Sequence, residues 1–303
     1  MKNIFQVVIV LLIGTFSVSA QQESQYTQYM YNTMTFNPGY TGSREMPTAM
    51  GLYRTQWVGL DGAPKTMNFS IQSPVGIHSG LGLNVVSDQI GPTKTTGLTV
   101  SYAYTILGSS DVKYSFGISG GFDNFEVDYN KLNIEHPDPY LNGQESQFSP
   151  NVGAGFYVHS YNWYVGLSSP RLLKTSYYDD AKETTYSTQS HFYLIGGYVF
   201  DLNPYLKFKP AVLVKAVSGA PLAVDLSANF LINDKLTLGA AYRWDAAVSA
   251  MAGFQITNGL QVGYAYDYDT THIGNYNSGS HEIFLRFDLL TKSNSRLITP
   301  RFF

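Results

Sequence analysis

The chain has 303 residues, with 19 Lys+Arg against 22 Asp+Glu, and this net charge of −3 leaves no basic footprint for nucleic acid. Charged residues make up 14% of it and aromatics 15%, a balance that argues against disorder. The absence of cysteine excludes a disulfide framework, a thiolate metal site and a cysteine nucleophile, and a mean hydropathy of −0.11 excludes a helical membrane bundle but not a membrane β-barrel.

Residues 1–20 read as a secretory signal peptide. Met1-Lys2-Asn3 is the basic start, residues 4–14 are nearly all apolar, and Val18-Ser19-Ala20 is a small-x-small end. The apolar run is shorter than the roughly 20 residues of a membrane anchor. Gln21 stands where a lipoprotein needs Cys. Residues 21–47 form an N-terminal arm or plug, assigned to the periplasmic side. Its stretches 25–32 and 37–42 are aromatic and uncharged, and would expose an apolar patch in water. The arm is therefore expected to dock, either inside a lumen or on a partner.

From residue 48 onward the period is two. Leu260, Val262, Tyr264, Tyr266 and Tyr268 share one parity, and Gln261, Gly263, Ala265, Asp267 and Asp269 the other. Ile283, Leu285, Phe287 and Leu289 alternate in the same way with Glu282, Phe284, Arg286 and Asp288. The pattern predicts fourteen strands near 48–57, 65–73, 79–87, 93–105, 112–123, 148–158, 161–168, 188–200, 204–216, 221–232, 235–245, 247–257, 259–269 and 280–290. A soluble sandwich also alternates, so three further features decide. The segments are long, where soluble strands average about five or six residues. Aromatics crowd the ends of the apolar rows, as in Tyr102/Tyr104, Tyr198/Phe200 and Tyr242/Trp244. Links after even-numbered strands are tight, while the long ones (about 124–147, 169–187 and 270–279) follow odd-numbered strands. That is the outer-membrane pattern of short periplasmic turns and long outer loops. The expected fold is an all-β, antiparallel up-and-down transmembrane barrel over residues 48–290, with a periplasmic tail at 291–303.

A Lys facing lipid at mid-membrane costs about 2–4 kcal/mol. The register must therefore turn Lys207, Lys209, Lys215, Asp225, Arg243, Asp267, Glu282, Arg286 and Asp288 into the lumen. Their mixed signs suit a cross-linked or plugged interior better than a selective pore. Gly117-Ile118-Ser119-Gly120-Gly121 matches a nucleophile-elbow string, but that chemistry needs a strand-to-helix turn, and this string sits within a period-two strand. Small residues at a strand bend are the better reading, and no catalytic residue is assigned. The six His residues lack ligand spacing, so neither metal nor cofactor is expected. Asp179-Asp180 with Glu183 and residues 136–139 read as solvated loop charge.

Four segments occur in order: Asn37-Pro38-Gly39-Tyr40-Thr41-Gly42; a run from Arg54 through Gln56, Trp57, Gly59 and Gly62 to Pro64; Asp88-Gln89-Ile90-Gly91-Pro92-Thr93; and Thr299-Pro300-Arg301-Phe302-Phe303. Together they resemble the PorP/SprF family of type IX secretion outer-membrane proteins, departing from its pattern at Gly39, where Ala is commoner. The resemblance implies an outer-membrane barrel that supports secretion or surface attachment of a partner protein, with gliding motility depending on some members. The implied partners are outer-membrane lipids, translocon or ring components, and a substrate protein carrying a C-terminal signal domain. It also makes Asn37, Pro38, Tyr40, Gly42, Arg54, Gln56, Trp57, Gly59, Gly62, Pro64, Gly91, Pro92, Thr93, Pro300, Arg301 and Phe303 candidates for partner contact. The competing reading is a passive porin or small-solute transporter with an N-terminal hatch.

Overall fold

The structure, a computed structural model, describes residues 25–44, 46–109, 111–132, 143–173, 176–179, 184–187, 189–218 and 220–289. The expected signal peptide, the 291–303 tail with Pro300, Arg301 and Phe303, and loop residues 136–139 lie outside the described residues. So do Asp180 and Glu183.

The strands are β1 (Thr48–Thr55), β2 (Lys65–Val75), β3 (Ser79–Ile90), β4 (Thr93–Leu107), β5 (Lys113–Asp128), β6 (Gln144–His159), β7 (Trp163–Arg171), β8 (Ser176–Asp179) and β9 (Thr184–Ser187). They continue as β10 (His191–Tyr198), β11 (Phe200–Asn203), β12 (Leu206–Val217), β13 (Ala223–Ile232), β14 (Leu236–Arg243), β15 (Ala247–Thr257), β16 (Leu260–Asp269) and β17 (Ser280–Asp288). Chain neighbours pair antiparallel around the wall. β1 meets β17 in register from Thr48↔Asp288 to Thr55↔His281, so the sheet has no open edge there. β8 and β9 form a separate hairpin between β7 and β10, and β11 continues β10 past Val199. The result is a closed wall of fourteen strands. Closure gives each wall strand a paired neighbour on both sides, which is the condition for crossing lipid with strands.

The wall separates two kinds of side chain. Ile283, Leu285 and Phe287 point outward, while Glu282, Phe284, Arg286 and Asp288 between them are buried inside. Outward rings gather near both rims: Tyr102, Tyr104, Tyr198 and Phe200 at the turn end, and Tyr242, Trp244 and Tyr268 at the loop end. Amphipathic rings of this kind sit at the two membrane–water boundaries.

Several boundaries differ from those the alternation predicts. β1 stops at Thr55 because Trp57 takes a left-handed φ of 48° that no strand continues. β5 and β6 reach Asp128 and Gln144, well into the stretch read as a loop. Strand residues beyond the apolar band face water on both sides, so they leave no period-two signal. The strand expected at 188–200 breaks at Val199, whose N–H bonds to the Asn162 carbonyl in the turn ahead of β7 (2.7 Å).

The core of the molecule is the lumen. Three single turns of 3₁₀ helix, Tyr29–Tyr31, Thr33–Thr35 and Pro38–Tyr40, carry the arm through it. Tyr29, Met30, Tyr31, Met34, Phe36 and Tyr40 are all buried there. Of the two covers open to it, the lumen or a partner, the described part of the arm takes the lumen. It climbs from β1 through the interior toward the loop end.

Candidate functional site

At the loop end of the lumen, strands β1, β16 and β17 aim Arg54, Asp267 and Glu282 at one another, because each has inward parity at the same height. Arg54 Nη2 lies 2.6 Å from Asp267 Oδ2 and Nη1 lies 3.2 Å from Glu282 Oε2. All three are buried. The arm completes the cluster. Thr27 N–H and Gln28 N–H each donate to a Glu282 carboxylate oxygen (2.9 and 2.8 Å), and Thr27 Oγ1 donates to Asp267 Oδ2 (2.6 Å). Arg54 Nη1 in turn donates to Thr27 Oγ1 (2.8 Å). Beside it, Arg243 pairs with Asp225 (2.7 Å) and donates to the Gln25 side chain (3.2 Å). Charge-assisted bonds of this kind are the strong class, and here they hold the start of the described arm to the wall.

Midway, the arm is packed by rings. Tyr31 lies 4.5 Å from Phe284, centroid to centroid, with Lys209 and the Arg286 guanidinium within 6 Å of its face. Phe36 meets Tyr193 at 5.4 Å, and Tyr40 meets Tyr157 edge-on at 5.3 Å. Asn32 bridges Asn68 and Ser70 of β2. At the turn end Arg44 pairs with Asp288 (2.9 Å), which also accepts from Thr48 Oγ1 (2.8 Å).

The Asn37–Gly42 segment sits on glycine. Asn37 Oδ1 caps its own turn by accepting from Gly39 N–H (2.9 Å), and Asn37 Nδ2 donates to the Phe156 carbonyl (3.2 Å). Gly117 of β5 and Gly155 of β6 face each other in register beneath it. A Cβ on Gly117 would lie 2.2 Å from the Pro38 carbonyl carbon, and one on Gly155 2.2 Å from Asn37 Oδ1. Gly117 therefore marks a close approach of two backbones, not a bend. Paired inward glycines on neighbouring strands are the sequence signal for such contact, and the sequence reading passed over it. Ser119, two residues on, stays in mid-strand within β5 with its side chain inward, and the strand runs nine residues further, to Asp128, before a single 3₁₀ turn at Tyr129–Lys131.

Outside the lumen, the link between β1 and β2 is stitched into a rim. Gln56 N–H donates to the Pro64 carbonyl (2.9 Å), closing the loop on itself. Val58 N–H donates to Gly279 O (2.9 Å) and Ser278 N–H to Val58 O (2.7 Å), joining it to the link before β17. Gly91 N–H donates to Gly62 O (2.8 Å), joining it to the β3–β4 turn, where Pro92 O accepts from Asp128 N–H (3.0 Å). Both glycines have a left-handed φ (73° at Gly62, 55° at Gly91), and a Cβ on Gly62 would lie 3.2 Å from Gly91 Cα.

The thirteen candidates among the described residues thus divide. Asn37, Pro38, Tyr40 and Arg54 are buried within the barrel, and Gly42 packs on Gly80 at its wall, so their described contacts are internal. Gln56, Trp57, Gly59, Gly62, Pro64, Gly91, Pro92 and Thr93 belong to the rim. Of the charges assigned to the lumen, Lys207 pairs with exposed Asp234 at the turn-end mouth (3.2 Å), and Lys215 stands 6.0 Å from the Tyr193 ring. Arg44, Thr27 and Gln28 complete the arm's anchoring and were not singled out in the sequence.

A family model for the type IX secretion system membrane protein PorP/SprF matches residues 18–287. The chain belongs to the PorP/SprF family. It is an outer-membrane β-barrel. Among solved structures it is similar to the CymD monoaromatic hydrocarbon channel (TM-score 0.53, 10% identity, covering 88% of this chain and 94% of that one). It is also similar to the Ralstonia pickettii toluene transporter TbuX (TM-score 0.51, 7% identity, covering 86% and 92%). At these identities the likeness is one of fold. No curated protein matches.

Proposed function

We propose that this PorP/SprF protein works as a stoppered barrel that supports secretion or surface attachment of a partner protein through its loop-end rim. The observation that carries this reading is the joining of the 56–64, 91–92 and 277–280 segments by main-chain hydrogen bonds into one platform. Loops braced on a rigid scaffold are where recognition is usually built. The rim offers Asp61 and Tyr276, the latter 74% exposed, at its surface. Its partners are a translocon or ring component or a substrate with a C-terminal signal domain, and the loop end faces outward.

The test is mass spectrometry of what co-purifies with a chromosomally tagged copy from outer membranes in mild detergent. Recovery of a large type IX surface protein or a translocon barrel, lost on Asp61→Lys with Tyr276→Ala, is the expected result. Ring lipoproteins alone would move the role to the trunk complex. A barrel that elutes alone after cross-linking overturns the reading.

A second reading, a solute channel with the arm as its hatch, is favoured by the channel and transporter named above. It predicts sustained conductance from the intact chain and normal secretion in a null strain. The anchored arm in the lumen supports the first reading over it.

A further inference from the structure

Beside the arm, on the β3–β7 side of the lumen, lies a cavity of about 210 Å³. Its lining includes Ile90, Thr93 and Gln189 toward the loop end and Met34 and Pro38 of the arm. Its size is below the 300–1,000 Å³ of drug-sized sites, which limits the occupant to about one small ring.

The chemistry of its wall is narrow. Asn84, Thr99, Ser119 and Asn151 present neutral amide and hydroxyl groups from four different strands. Two of its polar atoms, Asn151 Oδ1 and Thr35 Oγ1, are buried and have no hydrogen-bond partner among the described residues. A buried polar atom left unsatisfied costs about 1–3 kcal/mol, so both favour an occupant that can donate to them. Tyr26 and Phe125 supply ring surface to the same lining. Three charged side chains stand in the lining: Asp123 and Arg171 pair at 2.7 Å, and Asp88 accepts from Thr66 Oγ1 of β2.

We propose that this cavity binds a neutral saccharide residue. A polyhydroxylated ring donates and accepts around its edge while presenting an apolar face, which matches fixed hydroxyls and amides beside aromatic rings. An anionic ligand would meet two carboxylates, Asp88 and Asp123, against the single guanidinium of Arg171. An extended peptide can add to an open sheet edge; β6 leaves such an edge ahead of Ala154, where its pairing with β7 begins, so peptide capture is one outcome of the test. The inference does not depend on the secretion role, since it concerns the cavity and not the rim.

The experiment is saturation-transfer NMR on the full-length protein in nanodiscs, using methyl glycosides of glucose, galactose, mannose and N-acetylglucosamine. At least one should bind saturably at one site per barrel. Thr99→Leu, which pushes a larger apolar side chain into the cavity and removes the hydroxyl, should abolish that binding, and Thr99→Val, which removes the hydroxyl at nearly constant volume, should weaken it about tenfold, the loss of one hydrogen bond. Heat-modifiable migration on gels verifies that each variant is folded, and Thr99→Val carries the test if Thr99→Leu does not assemble. Absence of saturable binding by the folded wild type overturns the proposal. So does binding that neither variant alters, or capture of short peptides in the same cavity in place of sugars.

Discussion

Replacing Arg54 by Leu removes the one cation bonded to both Asp267 and Glu282 in the described structure, and the barrel has two ways to respond. The carboxylates sit on β16 and β17, whose ladders to their neighbours run the length of each strand, so the wall keeps them where they are. The arm is held in this region by Thr27 and Gln28, and its departure would let water reach both carboxylates. Breaking a buried pair by deleting one partner costs about 3–5 kcal/mol, because a charge is left uncompensated. That cost falls on docking of the arm and changes the docked-to-released ratio by roughly two to four factors of ten. The cysteine-free chain makes the assay clean, since Gln25→Cys is then the sole thiol. Its labelling by an impermeant maleimide should be slow in the parent and faster by about a hundredfold or more in Arg54→Leu, with single-channel conductance rising in parallel. Unchanged labelling and conductance in a folded Arg54→Leu barrel would refute the view that this cluster locks the arm.

Three further outcomes follow from particular contacts. Gly117→Ala should destabilise the docked arm by about 1–3 kcal/mol through overpacking against Pro38, measured by the same labelling, while Gly120→Ala, whose new methyl meets nothing within 4 Å, should be neutral. Leu285→Lys, outward on β17 and 52% exposed, should cost the barrel about 2–4 kcal/mol in a lipid-refolding titration. Tyr264→Lys, on the outward face of β16 nearer the loop end, should impair assembly less than Leu285→Lys, because the cost falls toward the interface. Deleting residues 25–44 should leave a folded barrel that conducts, whereas a closed lumen after the deletion would show that something other than the arm blocks it.

The wall was legible in the sequence for a simple reason. A strand between lipid and lumen must alternate, so the parity of Leu285 against Arg286, or of Leu226 against Asp225, is written locally and needs no knowledge of the neighbouring strand. The same rule assigned Asp225, Arg243, Asp267, Glu282, Arg286 and Asp288 an inward direction. Parity gives a direction but no partner. Thr27 is more than two hundred residues from Asp267 and Glu282, and Arg44 from Asp288, so these meetings exist only once β1 closes on β17. The buried arm follows the same logic. Its aromatic, uncharged composition required a cover, and two covers were compatible with it. The lumen was selected by matching shape, with Asn37 and Pro38 lying over Gly117 and Gly155, glycines drawn together by the register of β5 with β6. The rim is likewise a tertiary product, since Val58, Gly91 and Gly279 come from three separate links and are joined by main-chain bonds that leave no trace in side-chain pattern.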